Sequence, residues 1–114
     1  MKLPNAENAV VDIAKLRDYS LDLNHREGKH KARVFLKALG MDSNDAEQLR
    51  QIILKAIVKA DAVEGQQTQY GRRFVVDFRI SWSKTSVIRT ALVRTAWIVR
   101  TDEDFPRLTT CFVL

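Results

Sequence analysis

The stretch Ile88-Arg-Thr-Ala-Leu-Val-Arg-Thr-Ala-Trp-Ile-Val-Arg100, followed by Phe105-Pro-Arg-Leu-Thr-Thr-Cys-Phe-Val-Leu114, alternates apolar residues with arginine and threonine. Alternation of period two is the mark of a strand with one buried face. Neither face of the first run is uniformly apolar, which points to a central strand or one carrying a bulge. Thr101 to Pro106 turns the chain between the two.

Upstream, Phe74, Val76, Phe78, Ile80 and Trp82 alternate with Arg73, Val75, Asp77, Arg79 and Ser81, a third strand that turns at Ser83-Lys-Thr85. Glu64 to Gly71 is polar, is bounded by two glycines and reads as a turn. Before it the period changes. Ala46, Leu49, Ile52, Ile53, Ala56, Ile57 and Ala60 form the stripe of a helix over 45–60, with Asn44 and Glu47 at capping-box spacing and Ser43 as the alternative cap. Ala32, Phe35, Leu36 and Leu39 form the stripe of a helix over 29–39 that Gly40 stops. Asp12 is a cap for a short helix over 13–19, and the Ala9-Val-Val11 lead-in suits a short strand. Helices first and a meander after predict an α+β domain. N-terminal helices pack on one face of a C-terminal antiparallel sheet of three to four strands. The 114 residues make one domain over 1–114.

The single cysteine, Cys111, excludes a disulfide framework and any cysteine zinc cluster, and its place in a strand predicts a half-buried thiol. Met1 to Ala6 has no signal-peptide core, and no run approaches the ~20 apolar residues of a membrane span. A cytoplasmic protein with no membrane association is expected. Nineteen Lys and Arg against fourteen Asp and Glu leave a net charge of +5, which suits an anionic partner and equally a merely soluble basic surface.

Two constellations carry chemistry. His25, Gly28, Lys29 and Lys31 sit in the loop and first turn of a helix, where free N–H groups favour a phosphate. His25 is the better acid/base candidate of the two histidines, and a surface loop histidine beside solvated lysines fits the same spacing. Arg94 and Thr95 with Arg107, Thr109 and Thr110 pair guanidinium forks with hydroxyls, as phosphate contacts or as a solvated sheet face. Phe74, Trp82 and Trp97 read as core. No Walker loop, dinucleotide fingerprint or metal-ligand spacing is present, so no cofactor is expected.

Four spaced motifs carry a resemblance: Lys15-Leu-Arg-Asp-Tyr19; His25-x-x-Gly28-x-x-Lys31-Ala-Arg33-x-Phe35; Arg94-Thr-Ala-Trp-Ile98; and Pro106-Arg-Leu-Thr-Thr110. In this order they resemble a bacterial family described only as a domain of unknown function. Its members look similar to toxin-type ribonuclease domains of the barnase, EndoU, colicin and RelE group. The resemblance implies metal-independent cleavage of RNA, with His25, Lys31, Arg107 and Thr110 as catalytic residues. Gly28, Lys29, Arg33, Arg94 and Thr95 would line the nucleic-acid surface. His25 would take a ribose 2′-hydroxyl proton, Lys31 and Arg107 would stabilise the phosphate, and Thr110 would hold a nonbridging oxygen. Phe112 departs from the pattern, standing where related domains often carry a tyrosine. The alternative is a non-catalytic protein that binds nucleic acid or a small antitoxin-like partner protein. The composite site requires His25 and Thr110 to meet.

Overall fold

The computed structural model describes residues 1–114. Its architecture is the α+β arrangement that the periodicities predict, with helices N-terminal to a four-stranded antiparallel sheet. One turn of α-helix, Ile13–Lys15 (α1), runs straight into a π-helical turn, Leu16–Ser20. The helices Lys29–Leu39 (α2) and Ala46–Ala56 (α3) follow. The strands are Ala62–Thr68 (β1), Gly71–Trp82 (β2), Arg89–Arg100 (β3) and Pro106–Val113 (β4), in spatial order β1-β2-β3-β4.

Helix α2 ends where Gly40 adopts φ 71°, a left-handed conformation that costs glycine nothing, and its N–H caps the Leu36 carbonyl. Its buried face is Ala32, Phe35 and Leu39, while Leu36 is 39% exposed, so the stripe is narrower than its spacing suggests. The cap before α3 lies earlier than Asn44: Asp42 accepts the Asn44 N–H, and Asp45 accepts the Asp42 N–H. Aspartate serves both halves of this box because either carboxylate reaches a free N–H one turn away.

The register sets Phe74 opposite Trp97, Val76 opposite Thr95 and Phe78 opposite Val93, and these alternate positions form the buried face. Phe35, Leu39, Leu49 and Ile53 from the helices meet them in one core. Removing a side chain of this size from water stabilises the fold by about 1.5–3 kcal/mol. Trp82 packs on that core as a partly buried residue, and Cys111 is fully buried, deeper than half-buried. Strand β3 is central, as its two mixed faces predicted. The irregularity falls in its pairing with β4, where Ala96 faces Thr110 and Trp97 faces Leu108, leaving Thr109 over.

Strand β1 occupies the segment that reads as a turn. All of it but Ala62 is exposed, and its pairing with β2 skips between Glu64 and Gln67. At the opposite edge, Val10 makes a parallel bridge to Arg107: its N–H donates to the Pro106 carbonyl at 2.9 Å, and its carbonyl accepts from Leu108 N–H at 3.0 Å. This bridge carries the chain into α1 directly beside β4. No helix is long and apolar enough to cross a membrane.

Candidate functional site

A cleft of about 430 Å³ opens between the α1–π turn, the start of α2 and strand β4. Its walls are Asp12, Ala14, Lys15, Asp18, Tyr19, His25, Lys31, Thr109 and Thr110. Each wall follows from local structure. The Asp12 side chain accepts the Ala14 N–H at 3.0 Å and so caps the first turn. Residues 12, 15, 18 and 19 then fall on the same side of that turn, three or four apart. The π turn closes with the Leu21 N–H on the Leu16 carbonyl, and it projects Tyr19 over the loop that holds His25.

Tyr19 and His25 meet edge to face with ring centroids 4.7 Å apart. The Lys31 ammonium lies 5.6 Å from the Tyr19 centroid, 5.1 Å from the Phe112 centroid and 3.4 Å from Thr110 Oγ1. The phenylalanine that departs from the resemblance thus gives the ammonium an aromatic face. Thr109 donates its hydroxyl to the Ala96 carbonyl at 3.1 Å, which fixes the bulge and aims the neighbouring Thr110 hydroxyl.

His25 is held in a definite state. Its Nδ1 accepts the N–H groups of Glu27 at 3.0 Å and Gly28 at 2.9 Å. A ring nitrogen that accepts carries no proton, so the neutral imidazole bears its proton on Nε2 and offers a donor. The role of base assigned to His25 needs an open lone pair, and the backbone already occupies it. The charges in the cleft nearly balance. Asp18 is gripped by the Arg17 guanidinium through two bonds of 2.8 Å, which hold its carboxyl below the ordinary aspartate range. Lys15, Lys31 and Asp12 are the other charged groups in the walls.

The expected site residues divide. His25, Lys31 and Thr110 converge, 79 positions separating Lys31 from Thr110. Arg107 lies next door, in a cavity of about 130 Å³ that shares Asp12, Lys15 and Thr109 with the cleft. Glu103 grips it at 2.7 and 2.8 Å, and the Phe105 ring lies 4.9 Å away. Gly28 backs the cleft against the Tyr19 carbonyl, so the close approach its missing side chain permits is made by the protein's own backbone. The Gly28 and Lys29 N–H groups are spent on His25, and the N-terminus of α2 does not offer them to an anion. Lys29 is half-buried outside the cleft, and Arg33 lies on the outer face of α2 beside Val34 and Lys37.

Thr95 is corrected, and neither it nor Arg94 is among the walls of the cleft. Thr95 is fully buried, its hydroxyl donating to the Val76 carbonyl at 2.7 Å and accepting Trp97 Nε1–H at 2.8 Å, so it contacts no nucleic acid. Arg94 lies on the sheet face away from the helices, is paired bidentately with Asp77 at 2.9 Å and does not line the cleft. Tyr19, Asp12, Lys15 and Asp18 were not singled out as site residues from the sequence. The signal that finds them is their three- and four-residue spacing on a capped turn.

The comparisons with known proteins agree with one part of the resemblance. The chain belongs to the family described as a domain of unknown function (DUF6883), matched over residues 2–114. No curated protein and no solved structure matches it, so the likeness to toxin ribonucleases has no matched relative behind it. The DUF6883 cleft is characterised by its side chains alone. It holds no group of three or more His, Cys, Asp or Glu residues placed to bind a metal ion.

Proposed function

We propose that this DUF6883 domain is a metal-independent, ribonuclease-like protein whose cleft takes an RNA phosphodiester. The observation that carries the reading is the 3.4 Å approach of Lys31 Nζ to Thr110 Oγ1 inside a cleft that His25 also lines. An ammonium, a hydroxyl and an Nε2–H donor then surround one space, the arrangement that stabilises a phosphate as negative charge grows on it. Lys31 holds one nonbridging oxygen, Thr110 orients the other, and His25 donates to the phosphate from Nε2. Arg107, tied to Glu103 one cavity away, supports the site electrostatically.

Purified protein incubated with end-labelled RNA in EDTA tests this. Cleavage is expected, with Lys31→Ala lowering the rate by about 10²–10³-fold, the effect of losing one donor to the reacting charge. Intact RNA, or cleavage that survives both Lys31→Ala and His25→Ala, refutes it.

The state of His25 favours a second reading, binding without turnover: the backbone has taken the one nitrogen lone pair in the cleft. That reading predicts RNA affinity that falls with added salt and no cleavage at any concentration. Absent affinity at low salt leaves a small protein partner as the remaining alternative.

A further inference from the structure

Resting on the ribonuclease reading, we infer that Asp12 is the group in the cleft that accepts the substrate's proton. Nothing in the sequence pattern assigns it more than a helix cap.

Attack by a ribose 2′-hydroxyl needs an oxygen or nitrogen with a free lone pair beside the phosphate site. His25 is excluded because Nδ1 accepts two backbone N–H groups and Nε2 carries the proton. Asp18 is excluded because Arg17 occupies both of its carboxylate oxygens at 2.8 Å. Lys15 and Lys31 are donors. Asp12 differs from them all: Oδ1 accepts the Ala14 N–H at 3.0 Å, which fixes the carboxylate in place, while Oδ2 has no partner. The residue also lies where the cleft and the smaller Arg107 cavity join, lining both. A carboxylate anchored through one oxygen and open through the other is what a positioned base requires.

Asp12 Oδ2 takes the 2′-hydroxyl proton as the 2′-oxygen bonds to phosphorus. The bond from phosphorus to the 5′-oxygen breaks, and that oxygen leaves with a proton from the Lys31 ammonium. The products are a 2′,3′-cyclic phosphate and a free 5′-hydroxyl. Water then carries the proton from the carboxyl back to the lysine amine.

Asp12→Asn separates this role from the cap. Asparagine caps a helix as well as aspartate does, so the fold and the melting temperature are expected to hold. It cannot take the proton, so cleavage of labelled RNA falls by about 10²–10⁴-fold. Affinity for the same RNA with 2′-O-methyl sugars, which cannot be cut, stays at the wild-type level. Asp12→Ser, another strong cap, must show the same loss and serves where asparagine alters the melting curve. If Asp12→Asn cleaves as fast as wild type while Lys31→Ala does not, Asp12 is only a cap and the ribonuclease reading survives. If wild-type protein leaves RNA intact, both fall together.

Discussion

Gly28 and the carbonyl of Tyr19 are in direct contact: a Cβ built on Gly28 would lie 2.5 Å from Tyr19 O and 3.1 Å from its carbon. That contact presses the π turn against the start of α2 and sets the distance between Tyr19 and His25.

Gly28→Ala should therefore destabilise the protein. The obstacle is backbone, which cannot swing aside, and overpacking of this kind costs about 1–3 kcal/mol. The same displacement pulls the Gly28 N–H away from His25 Nδ1. A urea midpoint equal to that of wild type would contradict the account.

Thr95→Val keeps the shape of the side chain and removes its hydroxyl. Trp97 Nε1–H then loses its acceptor inside the core, and an orphaned buried donor costs about 1–3 kcal/mol. Affinity for RNA should not change, since Thr95 reaches no surface. Chemical denaturation and a binding titration on one preparation read both halves. A loss of affinity without a loss of stability would return Thr95 to the binding surface.

Acid should weaken the fold through its paired carboxylates. Hydrogen bonds from Arg107 hold the Glu103 carboxyl below the ordinary glutamate value of about 4.5, and Arg17 does the same for Asp18. A depressed folded-state value means that the pairing stabilises fully above the unfolded value and is lost as pH falls through the folded one. Melting temperature should thus be flat near neutrality and decline below about pH 4.5, and Glu103→Gln should make that decline shallower. A Glu103→Gln curve superimposable on wild type through the acid limb would show the pair to be inert.

Cys111 should not react in the folded protein. Burial pushes its thiol far above the ordinary cysteine range, and the opposing pull of the Lys31 charge is smaller. The thiolate is the reactive form, so a maleimide added to native protein should label it only at the rate of unfolding. Labelling within minutes without denaturant would show that β4 opens readily.

What could be read from residues alone followed burial. Helix α2 was placed by Phe35 and Leu39, and strand β2 by the alternation from Phe74 to Trp82, because each repeats a core contact at a fixed period. Strand β1 was invisible. Its Val63, Glu64, Gln66 and Gln67 are exposed, so no period marks it, and it exists because the edge of β2 offers hydrogen bonds. The candidate site divided along the same line. Lys31 and Thr110 were found because each sits on an element whose period is legible. Arg94 and Thr95 are sequence neighbours on opposite faces of β3, so neighbouring positions had to separate. Asp12 reads only as the cap of a short helix, and Tyr19 sits in the π-helical turn that follows, which carries no buried stripe of its own to mark it.

The 79 positions between Lys31 and Thr110 have a meaning in time. A ribosome adds about 5–20 residues each second, so the lysine emerges roughly 4–16 s before the threonine it faces. Until β4 pairs with β3, the cleft lacks the wall that carries Thr109 and Thr110. Whatever this pocket does to its ligand, it can do only once β4 has been made and paired.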